Sequence, residues 1–224
     1  MKNKNVFIAC DSSNISKIRE IIKKTQNSDI NIGYKFGLEF LNSKNGRFFL
    51  SKLKKKIIFA DLKLHDIPNT CVSAIKALKD LDIDYLTIHI SSGLEALRKC
   101  KKVSGKTKLV GVTILTSLNN KTIKEIGFDK NLKRLVQHQA HLANKAKLDA
   151  IVCSAQEVQI VKNIFKKEII TPGIRLNTNT NDQKRVLTPQ KAFKNGSDWL
   201  VIGRPITKGD IKKNFKKLIN HLSQ

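Results

Sequence analysis

The 224 residues carry 43 Lys and Arg against 18 Asp and Glu, a formal net charge of +25. Hydrophobic residues make up 40% of the chain, enough for one sizeable core, and no run approaches the roughly 20 apolar residues that cross a bilayer. Met1-Lys2-Asn3-Lys4-Asn5 leads directly into an apolar run and leaves no room for a signal peptide, so a cytoplasmic protein with one domain over residues 1–224 is expected. Cys10, Cys71, Cys100 and Cys153 show neither C-x-x-C pairing nor nearby His at zinc spacing, which predicts free thiols and no metal site.

Taken in chain order, residues 6–10 form the first strand-length apolar run, ending at Asp11, and Ile15-Ile18-Ile21-Ile22 follows with helical spacing. The second run, 32–36, carries Lys35. The third, 57–60, opens directly into Asp61-Leu62-Lys63-Leu64-His65-Asp66-Ile67-Pro68-Asn69-Thr70, and Val72-Ile75-Leu78-Leu81 continues as a helix. The fourth run, 85–90, includes His89, and the fifth, 109–115, leads to Thr116 and Ser117. Helical spacing returns at Leu132-Leu135-Val136-Leu142, the sixth run is 150–153, and Val158-Val161-Ile164-Phe165 is again helical. The seventh run, 169–174, spans Thr171-Pro172-Gly173-Ile174 before Arg175, and the eighth, 199–202, is followed by Gly203-Arg204. Continuously apolar strands imply burial on both faces, as a parallel sheet covered by helices requires. Eight β-then-α units in this length predict a closed (β/α)8 TIM barrel rather than an open doubly wound sheet.

In such a barrel the chemistry gathers at the C-terminal ends of the strands, so the polar residues there are read as a set. If 57–64 is extended, Asp61 and Lys63 share one face while Leu62 and Leu64 take the other, and Asp66 falls in the following loop. Lys35 and Lys63 against Asp61 and Asp66, with Asp11 at the margin, form an alternating charge network able to hold an ammonium ready to deliver a proton. Thr116 and Ser117 offer hydroxyls either to the polar edge of a heterocycle or sugar or, equally often at such a position, to a helix cap. The Gly-bearing segments after strands seven and eight, with Arg175 and Arg204, match the recurrent phosphate site of these barrels. Residues 174–188, poor in apolar side chains, are expected to form a lid.

The 61–70 segment, with Asp11, Lys35, Leu115-Thr116-Ser117, Pro172-Gly173-Ile174-Arg175, Asp182-Gln183-Lys184-Arg185 and Gly203-Arg204, resembles the orotidine 5'-phosphate decarboxylases of pyrimidine biosynthesis over nearly the whole chain. The resemblance implies a lyase that removes the carboxylate of orotidine 5'-phosphate to give uridine 5'-phosphate, without metal or organic cofactor. It implies that Lys35, Asp61, Lys63 and Asp66 surround the reacting carbon, with Lys63 as the proton donor. It further implies a homodimer with shared sites, Asp66 and Thr70 reaching the neighbour's. Asp11, Lys35 and Thr70 would hold the ribose, Thr116 and Ser117 the pyrimidine, and Gly203, Arg204, Arg175 and Gln183 the phosphate.

His65 is expected to be a packing residue and His89 to stand at the same rim as the charged set. His138, His141 and His221 lie in Lys-rich helical segments without metal spacing. The basic surplus resides in pairs such as Lys23-Lys24, Lys101-Lys102 and Lys166-Lys167, read as solvated helix faces. Aromatics are only 6% and do not interleave these pairs, so a nucleic-acid-binding barrel is the weaker reading. A sister enzyme of the same superfamily, acting on keto-sugar phosphates with a metal ion, is the other alternative.

Overall fold

The computed structural model describes residues 4–27, 29–176 and 187–223. Eight strands, β1 (Asn5–Ala9), β2 (Asn31–Gly37), β3 (Ile57–Leu64), β4 (Tyr85–His89), β5 (Lys108–Val112), β6 (Ala150–Val152), β7 (Glu168–Thr171) and β8 (Trp199–Ile202), pair in parallel in chain order. β1 also pairs with β8, which closes the (β/α)8 barrel expected from the sequence. The intervening helices are α1 (Ile15–Lys24), α2 (Leu38–Leu41), α3 (Gly46–Lys52), α4 (Pro68–Ala77), α5 (Gly93–Val103), α6 (Asn120–Glu125), α7 (Leu132–Lys145), α8 (Val158–Ile164), α9 (Pro189–Lys194), α10 (Arg204–Thr207) and α11 (Ile211–Ser223). Their starts are written locally. Asn14, Asn119, Asn131 and Thr188 each accept a hydrogen bond from a first-turn amide, and α4, α9 and α10 carry Pro in the first turn, where no N–H is missed.

Three strand ends depart from the apolar runs. β3 continues past Ala60 to Leu64, taking Asp61 and Lys63 into the strand proper. β5 stops at Val112 although the run continues, because Ile114 is buried by loop packing rather than by ladder pairing. β7 stops at Thr171, before Pro172, which has no N–H to donate. The helical period at Leu78 and Leu81 also outlasts α4, which ends at Ala77.

Strand alternation divides the core into two. Val6, Ile8, Ile58, Ala60, Leu86, Ile88, Leu109 and Leu200 face outward against the helices. Phe7, Phe59, Tyr85, Val110, Ile170, Trp199 and Val201 fill the barrel itself. Phe7 stacks on Trp199 with ring centroids 4.1 Å apart and meets Phe59 at 4.9 Å. Gly33 makes room for this cluster, since a Cβ there would lie 2.5 Å from the Phe7 ring. Toward the N-terminal ends of the strands, the Tyr85 hydroxyl donates to Glu168 (2.9 Å) and accepts from Lys108 Nζ (3.0 Å). The barrel is thus a packed interior plugged by aromatic rings, and space for a ligand remains at the C-terminal mouth.

β3 is irregular where it reaches that mouth. Ala60 pairs with Leu86 but Leu64 pairs with Ile88, so four residues of β3 advance against two of β4. Lys63, inside this bulge, has φ 50°, a left-handed conformation rare for a residue with a Cβ. Lys55 and Lys147 also have positive φ, but both lie in helix-to-strand turns.

Candidate active site

The strand ends surround a mouth cavity of about 270 Å³ lined by Asp11, Lys35, Asp61, Lys63, Thr116, Gly173, Arg175, Gly203 and Arg204, among others. Lys35 Nζ lies 3.0 Å from Asp11 Oδ1 and 3.4 Å from Asp61 Oδ2. Lys63 Nζ lies 2.8 Å from the same Asp61 oxygen. The charges therefore alternate along one chain, Asp11, Lys35, Asp61, Lys63. Alternation along β3 delivers Asp61 and Lys63 to the interior as expected, while Leu62 and Leu64 pack outward against the helix-facing core.

Burial makes these contacts consequential, because the Asp61 and Lys35 side chains are only 13% and 11% exposed. Burial alone would raise the Asp61 carboxyl, but Lys35 and Lys63, with hydrogen bonds from Lys63 and Thr87, outweigh it and hold the group below the usual carboxylate range. Burial alone would lower the Lys35 ammonium, and Asp61 and Asp11 overturn that and raise it. Both groups are thereby fixed in their charged forms at neutral pH. A Cβ at Gly37 would stand 3.4 Å from both Asp11 Oδ1 and Lys35 Nζ, an ordinary van der Waals contact.

The sequence did not single out Thr87. It is fully buried on β4, its hydroxyl donates to Asp61 Oδ1 (3.1 Å), and it accepts from the Lys63 backbone N–H (2.7 Å). A signal existed: Thr87 is the lone polar residue between Tyr85 and His89, on the inward face of an otherwise apolar strand. His89, one pair further up, is held below the usual histidine range by burial, then by His65 and Lys63. His65, expected to be a packing residue, is instead exposed, with its ring 5.1 Å from that of His89 and Nε2 3.4 Å from Ser91 Oγ.

Of the remaining candidates, Thr116, Arg175, Gly203 and Arg204 line the mouth, whereas Ser117 is exposed and outside the lining. Arg175 is set by backbone pairing across the loop base: Ile174 bridges Leu187, and the Arg175 N–H donates to the Leu187 carbonyl at 3.1 Å. Gly203 brings its backbone close to Ala9, 3.3 Å from where a Cβ would sit. Gln183 and most of the expected lid lie outside the described residues. Asp66 and Thr70 do not join the mouth within the chain. Asp66 is exposed in the loop, accepting from the Ile67 N–H (2.7 Å), and Thr70 is exposed on the first turns of α4. Among the described residues no three His, Cys, Asp or Glu side chains converge as a metal site, and no helix is long and apolar enough to cross a membrane. Cys10, Cys71, Cys100 and Cys153 are buried and form no disulfide with one another.

A closed parallel barrel with an ammonium–carboxylate array at its mouth, enclosed most tightly at Asp61 and Lys35, defines a (β/α)8-barrel protein. The profile of the orotidine 5'-phosphate decarboxylase / HUMPS family matches residues 4–216, and the chain belongs to that family. The orotidine 5'-phosphate decarboxylase of a Wolbachia from Culex pipiens is 43% identical over 190 residues, covering 83% of this chain and 84% of that protein. The Carboxydothermus hydrogenoformans enzyme of the same name is 41% identical over 217 residues, covering 91% and 89%. The crystal structure of the Lactobacillus acidophilus orotidine 5'-phosphate decarboxylase superposes with a TM-score of 0.83 at 30% identity, covering 99% of this chain and all of that one.

Proposed function

We propose that this chain decarboxylates orotidine 5'-phosphate to uridine 5'-phosphate in cytoplasmic pyrimidine biosynthesis, with Lys63 as the acid. The carbon–carbon bond to the substrate carboxylate breaks, carbon dioxide departs, and the electron pair stays on C6 of the pyrimidine. Lys63 Nζ delivers a proton to that carbon and is later reprotonated from solvent. The observation that carries this reading is the Lys63 ammonium 2.8 Å from a buried Asp61 carboxylate that also faces Lys35. The ammonium stabilises negative charge developing at C6, and Asp61 disfavours the bound substrate carboxylate more than the carbanion that replaces it. The reading requires no metal or organic cofactor.

Asp11 and Lys35 hold the ribose hydroxyls. Thr116, in the mouth lining, meets the pyrimidine edge, and Ser117, exposed beside it, does so only once substrate fills the mouth. Arg175, Arg204, the Gly203 backbone and Gln183 grip the phosphate, whose binding energy closes the lid over the reacting carbon. Asp66 and Thr70 complete the site of a second copy, so the active form is a homodimer; their exposure beside the mouth supports this assignment.

The test is a spectrophotometric assay with orotidine 5'-phosphate, with and without a chelator. Loss of the orotate absorbance unaffected by chelator is expected, together with its abolition in Lys63→Ala. Full activity in Lys63→Ala would remove the proton-donor assignment, and chelator-sensitive turnover would favour a metal-dependent member of the same family.

A further inference from the structure

Lys63 is the only described residue with a side chain beyond glycine's that adopts a left-handed backbone within a strand. In the bulge between the Ala60–Leu86 and Leu64–Ile88 pairs, Thr87 is the one β4 residue facing Asp61, Leu62 and Lys63. A bulge interrupts the ladder, so an amide inside it must find another acceptor or remain buried without one, at about 1–3 kcal/mol. The acceptor here is a side chain. Thr87 Oγ1 takes the Lys63 N–H at 2.7 Å and gives its own proton to Asp61 Oδ1 at 3.1 Å. Asp61 in turn spends its other oxygen on the Lys63 and Lys35 ammoniums. One hydroxyl therefore closes a ring that runs from the Lys63 backbone through Thr87 and Asp61 to the Lys63 ammonium.

We infer that Thr87 is a positioning residue for the decarboxylation, holding the strained Lys63 backbone and the Asp61 carboxylate in the register that aims the Lys63 ammonium at the substrate carbon. This rests on the function proposed above. Two features make the role specific to the hydroxyl. It is fully buried, so water cannot replace it, and both its donor and acceptor capacities are used. A valine of the same shape would keep the packing and lose both hydrogen bonds. Released from Thr87, the Lys63 backbone can relax toward ordinary extended geometry, and a displacement of the order of 1 Å at a reacting group costs about a hundredfold in rate.

The test compares Thr87→Val, Thr87→Ala and Thr87→Ser. For Val and Ala, kcat is expected to fall by about 10- to 100-fold with KM within about 3-fold of native, because the substrate-binding groups elsewhere in the mouth are untouched. Thr87→Ser, which keeps the hydroxyl, is expected to restore kcat to within about 3-fold. The acid limb of the pH–rate profile should move upward in Val and Ala and stay in place in Ser, since Asp61 loses a hydrogen bond that favours its charged form. Amide hydrogen exchange reads the contact without activity: the Lys63 N–H should be protected in native and Ser proteins and exposed in Val and Ala. Native kcat in Thr87→Val, equal losses in Ser and Val, or an unprotected Lys63 amide in the native protein would each overturn the inference. If Val and Ala fail to fold, the Ser variant's rate and the native amide decide it. A native protein that does not turn over orotidine 5'-phosphate but protects Lys63 would sink the function and leave the contact standing.

Discussion

Asp61→Asn is the most informative single perturbation of the mouth, because one carboxylate there serves two ammoniums. At an effective dielectric of about 20, the gross attraction of Asp61 is about 5 kcal/mol for Lys35 at 3.4 Å and about 6 kcal/mol for Lys63 at 2.8 Å. Desolvation offsets most of this, and the Lys63 side chain, 34% exposed, is partly screened, so its share is discounted. The larger effect comes from Lys35. Its side chain is 11% exposed and, among the described residues, would keep only Asp11, itself 59% exposed, as counter-charge. Breaking a buried pair from one side costs about 3–5 kcal/mol, and the surviving Asp11 contact places this case near about 3 kcal/mol. For a chain of this size that is a fall in Tm of about 6–12 °C.

The deficit depends on pH through both partners. Asp61 is lowered in the folded state, so its contribution is fully present above the unfolded carboxylate value and is lost as pH falls through the folded one. Lys35 is raised, so its contribution is present below the unfolded lysine value and is lost as pH rises through the folded one. The Tm deficit of Asp61→Asn should therefore be constant between about pH 5 and 9, shrink in acid below about pH 4, and shrink again above about pH 10.5. The assay is calorimetric unfolding across that range, with Lys35→Met and the double variant completing a cycle whose coupling should be about 1–3 kcal/mol. A Tm within about 2 °C of native at pH 7, with no coupling, would refute the claim that this array is held by its charges.

Mixing Lys63→Ala chains with Asp66→Ala chains should recover about a quarter of native decarboxylase activity, since half the dimers are mixed and each carries one intact site; no recovery after verified subunit exchange contradicts shared sites. Arg204→Ala should raise KM for orotidine 5'-phosphate by about tenfold or more while orotidine, lacking the phosphate, is turned over equally by both proteins; an unchanged KM removes Arg204 from the phosphate site. Gly33→Ala should destabilise by about 1–3 kcal/mol with normal KM, because the new Cβ meets the Phe7 ring at 2.5 Å; unchanged denaturation midpoints would show that Phe7 has room to shift.

The barrel was legible because its strands are buried on both faces, so eight apolar runs mark eight strands whatever their exact ends. The charged set was legible because Asp61, Lys63 and Lys35 are polar residues terminating such runs, where nothing in core packing calls for charge. What remained hidden depends on pairing. The alternation that places Asp61 and Lys63 inward holds across the bulge, so the sequence pattern gives no sign that the ladder slips by two residues or that Lys63 takes φ 50°. Thr87 was missed for the same reason, its meaning arising only from the residues opposite it. His65 shows the converse error: apolar neighbours in sequence suggested packing, but past Leu64 the strand ends and the side chain is exposed against His89.

The left-handed Lys63 also explains why the mouth and the far end of the barrel are built so differently. A non-glycine residue in that conformation costs about 1–2 kcal/mol, and burying Asp61 and Lys35 adds desolvation that their pairing only partly offsets. Such a site persists only when its surroundings over-determine it. Below the charged layer, Phe7, Phe59, Tyr85 and Trp199 form a stacked and edge-to-face cluster, and each large ring contributes about 0.5–1.5 kcal/mol per favourable pair beyond its burial. Phe59 is two residues before Asp61 on β3, and Tyr85 is two before Thr87 on β4, so both bulge-forming strands are anchored in that cluster one step beneath the strain. The packing that looks purely structural thus fixes the level from which Asp61, Lys63 and Thr87 project. Overpacking it, as Gly33→Ala would by pressing a Cβ on the Phe7 ring, should lower stability first and disturb the array only when Phe59 or Tyr85 shifts.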